Sequence, residues 1–301
     1  MHDGELTVDE ALADRLLARL LPDLHGRPLR PAPGAGTVNT IVRLGDDLVA
    51  RFPLLAADED RLRAEASALR EFAAAVPFAA PLPVHILPPS SEYASAWSVQ
   101  TWVPGRTADP RAHAEATGLA DDLGTLIRAL RRVDTAGREF DGRGRGGVLA
   151  DHDEWVAGCL SRSGHLFDVP LATALWAALR SLPPAGTVVM SHRDLTPYNL
   201  LVADDIDRAR LVGVLDGGDF GPADPALDLV CAWHLFEPSA REVLRAVVEA
   251  DAATWLRGAG WAFQQAAGLG WYYERSNPSM SALGRSTMRR LLMDDELRRL
   301  V

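Results

Sequence analysis

Apolar positions recur at three- and four-residue steps from Val8 to Leu21, with Leu12, Leu16, Leu17 and Leu20 on one face and Asp9 placed to cap the first turn. The chain is therefore expected to open on an amphipathic helix. Two short runs follow, Asn39 to Leu44 and Leu48 to Phe52, separated by Gly45-Asp46-Asp47, a spacing that predicts a hairpin. A second helix is expected from about Asp58 to Ala75, with Leu62, Ala66, Leu69, Ala73 and Val76 as its buried stripe. Extended segments at Val84 to Leu87 and Trp97 to Val103 complete a small α+β region that stops at Pro104-Gly105.

Beyond Gly105 the periodicity becomes mostly helical: Ala112 to Val133, Asp153 to Leu160, Leu171 to Leu182, Pro225 to Phe236, Ala240 to Ala250, Ala252 to Arg275 and Met280 to Leu292. The Gly-rich stretch Gly142 to Gly147 reads as a loop. This change predicts two domains, residues 1–103 and 104–301, with a hinge at about 100–105. One part of the second domain breaks the helical pattern. Thr187 to Met190, Leu200 to Val202 and Leu211 to Leu215 are short strand-like runs, the last two flanking a polar turn and so forming a hairpin.

Between the first two of those runs lies His192-Arg193-Asp194-Leu195-Thr196-Pro197-Tyr198-Asn199. This is the kinase catalytic-loop pattern H-R-D-L-x-x-x-N, in which the Asp positions the attacking hydroxyl and the Asn holds a metal ion. The second hairpin run ends in Asp216, and a hairpin brings its open ends together, so Asn199 and Asp216 are expected to form a Mg2+ site. A hard cation needs one or two such oxygens, with phosphates and water completing the octahedron. Asp194 is the expected catalytic base.

A phosphate grip is also expected. Val49-Ala50-Arg51-Phe52 puts a basic residue in a strand, and Glu65 lies at the edge of the buried stripe of the next helix, where a carboxylate needs a partner. Arg51 is the expected partner of Glu65; the competing one is Arg61. Gly34-Ala35-Gly36-Thr37-Val38-Asn39 precedes the first hairpin, so Gly36 and Thr37 are candidate phosphate contacts, a plain loop being the alternative. Asp224 before Pro225 reads as a helix start. Asp228 falls in a segment apolar on every side and must be satisfied by donors, for which the main chain at His192 and Arg193 is suited. His192 itself reads as a packed, hydrogen-bonded support for the loop.

Composition narrows the partners. The 301 residues carry a net charge of −10, which argues against nucleic acid, and no apolar run is long enough to span a bilayer. The acidic start lacks the features of a signal peptide, and two distant cysteines offer no disulfide framework, so a cytoplasmic protein, monomer or homodimer, is expected. All 31 basic residues are arginine, so any cation that grips phosphate must be Arg.

Three segments, Leu48 to Pro53 with Glu65, Trp97 to Gly105, and Ser191 to Asn199 with Val214 to Asp219 and Asp224 to Leu229, together resemble the aminoglycoside phosphotransferase family. The resemblance implies an α+β, bilobal, protein-kinase-like fold. It also implies Mg2+ with ATP or GTP as donor, Asp194 as base, Asn199 and Asp216 on the metal, Arg51 and Glu65 on the phosphates, and main-chain groups of Thr101 and Val103 on the purine. Two features depart from the family: His-Arg-Asp stands where His-Gly-Asp is usual, and the turn between Asn199 and Asp216 is a few residues long.

The acceptor implied is a hydroxyl-bearing small molecule, an antibiotic such as an aminoglycoside; a macrolide, nucleoside or peptide antibiotic or a metabolite is the alternative. Acidic and aromatic residues that could line its site are Asp151, Asp153 and Trp155 in one helical segment and Trp271 and Glu274 in another, core packing or capping being the competing reading. A protein kinase is opposed by the missing Gly-rich loop, Asp-Phe-Gly and Ala-Pro-Glu segments. A nucleotide-binding pseudokinase is opposed by the intact Asp194, Asn199 and Asp216.

Overall fold

The structure, a computed structural model, describes residues 5–32, 38–184, 186–203 and 209–301. The first apolar stripe forms α1 (Glu10–Leu20), capped by Asp9, whose carboxylate accepts from Leu12 N at 2.7 Å. Ala13, Leu16 and Leu17 of this helix join one core cluster with residues of an antiparallel sheet. That sheet contains β1 (Leu29–Pro31), β2 (Asn39–Leu44) and β3 (Leu48–Pro53). After α2 (Glu59–Ala75) it gains β4 (Pro83–Leu87) and β5 (Trp97–Thr101), in the order β1-β2-β3-β5-β4. Strand β3 is central, and its Phe52 stacks on Trp97 at 4.8 Å between ring centroids. β1 was not expected: three residues with Pro31 at the end carry too little pattern to read.

Helix α2 buries Leu62, Ala66, Leu69 and Phe72. Phe72 replaces the expected Ala73 and Val76 at the end of the stripe, because its ring packs on Gly217, where any Cβ would be driven into it.

By contacts the chain falls into two compact units, one of Met1–Ala74, Ala79–Pro104 and Leu215–Asp219, the other of Ala75–Phe78, Gly105–Val214 and Phe220–Val301. The second unit is mostly helical, with α3 (Thr117–Arg131), α4 (Asp153–Leu160), α5 (Val169–Arg180), α6 (Val230–Leu235), α7 (Pro238–Val248), α8 (Ala252–Tyr272), α9 (Pro278–Met293) and α10 (Asp295–Arg298). Two small antiparallel sheets sit among them. β6 (Arg106–Thr107), β8 (Leu200–Val202) and β9 (Leu211–Val214) form one, and β7 (Val189–Ser191) with β10 (Gly221–Ala223) the other. Asp122, buried on α3, holds the start of β9 by accepting from Leu211 N at 2.9 Å and Arg210 Nε at 2.7 Å. α8 packs closely on α9; a Cβ on Gly284 would lie 2.6 Å from Gly270 N.

Two expected helices are shorter than their apolar patterns. Residues 112–115 form turns, because Asp109 accepts from Arg111 N at 2.7 Å while its own N–H donates to His113 Nδ1 at 2.9 Å. Pro225 does not open a helix either. Its carbonyl accepts from Arg131 at 2.5 Å, so Leu227–Leu229 tighten into a 3-10 turn before α6. Among the described residues no helix is long and apolar enough to cross a membrane.

Candidate active site

The catalytic-loop pattern begins where β7 ends. Ser191 pairs with Gly221 of β10, and the chain then leaves the ladder through Arg193, whose φ is +70°. An L residue pays roughly 1–2 kcal/mol for this left-handed conformation, which glycine adopts freely. That is the physical reason for a Gly at this position of the related motif, and the strain here is offset by side-chain contacts of Arg193.

Beneath the loop lies Asp228, buried. Oδ1 accepts from Ser191 Oγ at 2.9 Å and Arg193 N at 3.3 Å, and Oδ2 from His192 N at 3.2 Å. Burial pushes its carboxyl up from the ordinary value, while His192, the Ser191 hydroxyl and the main-chain N–H groups pull the other way. His192 is fully buried, and its Nδ1 accepts from Asp194 N at 3.3 Å. The loop is thus held from below by a carboxylate and from within by an imidazole.

Asp194 carries three donors. Asn199 Nδ2 reaches its main-chain oxygen at 2.8 Å and Oδ2 at 3.2 Å. Gln265 Nε2, from α8, reaches Oδ1 at 2.8 Å, and Arg145 Nη2 the same oxygen at 2.6 Å. Because Asn199 spends its amide N–H groups on Asp194, its Oδ1 is the end suited to a cation. Behind Gln265 runs a buried chain: Gln265 Oε1 to His234 Nε2 at 3.0 Å, and His234 Nδ1 to Thr287 Oγ1 at 2.8 Å. Burial brings the His234 pKa down to about 4.

In the other unit, Asp216 also adopts a left-handed φ, +61°, two residues past the end of β9. Its Oδ1 accepts from Arg51 Nη2 of β3 at 2.9 Å, and Arg51 Nη1 reaches Gln100 Oε1 at 3.5 Å. Asp is among the few side chains that visit this conformation, and the Arg51 guanidinium holds its carboxylate in place. Gly217, bare against Phe72, lets α2 press on this turn.

The expected Arg51–Glu65 pair does not form. Glu65 accepts from Arg61 Nε at 3.0 Å, one turn away on the same helix, and Arg51 goes to Asp216. An i,i+4 partner is reached without bringing a charge in from a strand. Thr101 is committed to the sheet, with N–H to Leu82 O at 2.9 Å and its hydroxyl accepting from Leu82 N at 2.8 Å, while Val103 lies past the end of β5 with its side chain buried. Gly36 and Thr37 lie outside the described residues.

Most of the proposed acceptor residues have partners within the second unit. Asp153 turns to α5, accepting from Trp176 Nε1 at 2.9 Å and Arg180 Nε at 2.6 Å, and Arg180 holds its carboxyl below the usual range. Asp151 is exposed in a 3-10 turn. Trp155 packs over Gly268 of α8, Trp271 lies under the Arg162 guanidinium at 5.0 Å, and Glu274 meets His165 at 3.4 Å. Asp224, read as a helix start, accepts from Ala226 N at 2.8 Å and forms a buried ion pair with Arg257.

Arg145 and Gln265 also meet Asp194, and the sequence carries only faint signals for them: a Gly-Arg alternation, and a polar pair, Gln264-Gln265, inside an otherwise buried helix.

Solved structures of similar fold cover nearly the whole chain. Aminoglycoside 2′-phosphotransferase-IIIa with GDP is 17% identical, with 94% of this chain and 98% of that chain covered and a TM-score of 0.70. The apoenzyme of macrolide 2′-phosphotransferase MphH from Brachybacterium faecium is 20% identical, over 92% of this chain and 96% of that one, TM-score 0.59. The streptomycin–ATP–APH(2″)-IIa ternary complex is 16% identical, over 86% and 90%, TM-score 0.57. No curated protein sequence matches. The profile of the phosphotransferase enzyme family (APH) matches residues 28–261, most of the chain, and the chain belongs to that family.

Proposed function

We propose that the chain transfers the γ-phosphoryl group of ATP or GTP to a hydroxyl of a small molecule, an antibiotic of the aminoglycoside or macrolide type. The observation that carries this reading is Asp194, a half-exposed carboxylate on a loop tied down by Asp228, His192 and Asn199. A carboxylate so oriented can align an acceptor hydroxyl and take its proton as the O–P bond forms, which is the protein's main task in a transfer dominated by positioning.

Arg51 grips the donor phosphates, a role for which a guanidinium is suited because it binds phosphate oxygens bidentately and keeps its charge. Asp216 and the Oδ1 of Asn199 are the groups that would hold Mg2+: one carboxylate and one amide oxygen, a hard donor set that leaves most of the octahedron to phosphates and water. Bound there, the ion would neutralise phosphate charge. The Arg51–Asp216 ion pair supports this division, since both groups are held at one turn and each has a charge that a metal–nucleotide complex satisfies. Glu65, paired with Arg61, is left as support for α2 beside Gly218. The aminoglycoside and macrolide classes come from the names of the similar structures; ATP and GDP occur in two of them. A place in the cytoplasm, with the nucleotide, fits this reading.

The test is phosphoryl transfer from labelled ATP and, separately, GTP to a panel of both antibiotic classes, with and without Mg2+. Mg2+-dependent labelling of a hydroxyl is expected. Neither transfer nor nucleotide hydrolysis with either donor would contradict the reading and favour a nucleotide-binding module.

A further inference from the structure

Phe140 to Gly147 reads Phe-Asp-Gly-Arg-Gly-Arg-Gly-Gly and passes beside the catalytic loop. Arg193 fixes its start. The Arg193 guanidinium meets Asp141 at 2.9 Å, donates to Arg143 O at 2.7 Å and lies over the Phe140 ring at 5.2 Å. At the other end Gly146 O accepts from Asp224 N at 2.7 Å, and a Cβ on Gly146, whose φ is +116°, would lie 2.7 Å from Ala223 Cβ. The segment is therefore anchored at both ends by contacts that its own sequence requires. Between the anchors it sets the Arg145 guanidinium on Asp194 Oδ1 at 2.6 Å.

This contact changes the charge that an acceptor meets. Arg145 pairs with Asp194 and Arg193 with Asp141, so the reacting carboxylate offers an acceptor no net negative charge, although the chain as a whole carries −10. Arg145 also keeps a buried Nε with no hydrogen-bond partner among the described residues. The Arg145 side chain is 29% exposed, so its Nη groups rather than Nε are the donors that an oxygen on a bound molecule can reach.

We propose that Arg145 is the acceptor-selecting residue: its guanidinium receives an oxygen-bearing neutral or anionic substituent next to the reacting hydroxyl and disfavours hydroxyls flanked by ammonium groups. The proposal rests on the phosphotransfer reading above and narrows it, away from polyamine acceptors. Like charges about 5 Å apart at a partly screened site disfavour each other by roughly tenfold or more in affinity. Two carboxylates that could have offset this are engaged elsewhere, Asp153 with Arg180 and Glu274 with His165, while Asp151 stays exposed in its 3-10 turn.

The experiment measures kanamycin affinity by calorimetry for the wild type, Arg145→Glu and Arg143→Glu. Both variants make the same change in net charge, but Arg143 is exposed and bonds to Arg193 only through its main chain. Arg145→Glu is expected to bind kanamycin at least tenfold tighter than wild type, and Arg143→Glu less than threefold. In parallel, kcat/KM for kanamycin relative to a neutral nucleoside and to glycerate should rise at least tenfold in Arg145→Glu wherever transfer is detected. Equal kanamycin affinity in wild type and Arg145→Glu, or an equal gain in both variants, overturns the proposal. Nucleotide hydrolysis by the wild type, read in the same samples, reports on the phosphotransfer reading separately.

Discussion

Gln265 donates its amide N–H to Asp194 at 2.8 Å, and that contact fixes the direction of every hydrogen bond behind it. A carboxylate only accepts, so Nε2 must face it and Oε1 must face His234. His234 then carries its proton on Nε2 and accepts from Thr287 on Nδ1. Three helices thereby hold one oxygen of Asp194. Gln265→Ala should lower kcat about 10- to 100-fold, from the loss of a hydrogen bond to a charged group worth roughly 1.5–3 kcal/mol. Gln265→Glu should do worse, by facing one carboxylate with another. Nucleotide affinity should hold in both. Steady-state kinetics at saturating nucleotide checks this, and wild-type turnover in Gln265→Glu would remove Gln265 from the positioning chain.

His234 makes the fold acid-sensitive. Its folded pKa of about 4 lies below the ordinary value of 6.5, because burial penalises the charged ring. As pH falls below about 6.5 the unfolded chain takes up a proton that the folded chain refuses until about pH 4. Stability is therefore lost across that window, by up to about 3 kcal/mol from this group. Urea midpoints between pH 7.5 and 4.5 should fall more steeply for wild type than for His234→Gln, which has no ring to protonate. Parallel curves would mean that His234 does not control this window.

Arg193→Gly exchanges one favourable feature for another. The left-handed backbone at φ +70° relaxes, worth roughly 1 kcal/mol, while the Asp141 pair and the Phe140 contact disappear. Global stability should change by less than about 1 kcal/mol, because the two effects oppose. Hydrogen exchange should rise at residues 140–147 and not in α8. Unchanged exchange in that segment would show that Arg193 is not its anchor.

The ion pairs of Arg51 and Glu65 predict an asymmetric mutant cycle. Arg51→Ala and Asp216→Ala remove partners of one contact and should be coupled in nucleotide affinity. Arg51→Ala and Glu65→Ala should simply add, since Glu65 belongs to Arg61. Glu65→Ala alone should cost under about 0.5 kcal/mol of stability, as exposed helix pairs do. Coupling of Arg51 with Glu65 rather than with Asp216 would contradict the observed pairing.

The sequence was most legible where pattern and chemistry coincide locally. The strands around Arg51, the loop of Asp194 and the β8–β9 hairpin each announce themselves over a short stretch of sequence, and the antiparallel pairing of Leu200 with Val214 follows from their order. Illegible were relationships set by distant partners. Glu65 had two candidate cations, and only the fold shows that Asp216 takes Arg51. Pro225 looked like a helix start until Arg131, far away in sequence, claimed its carbonyl. Arg145 was hidden for the same reason: a glycine-rich loop has no periodicity, and what it carries depends on which anchors hold its ends.

The central claim is that Asp194 is the base of a phosphoryl transfer, and Asp194→Asn tests it most directly. Asn is nearly isosteric, keeps one acceptor oxygen for Gln265 and Arg145, and cannot take a proton. With an acceptor identified from the panel, single-turnover transfer and nucleotide affinity should be measured on wild type and variant together. The account predicts a fall in transfer of roughly 10²- to 10⁴-fold with nucleotide affinity unchanged within a few-fold. Transfer at the wild-type rate in Asp194→Asn would contradict it.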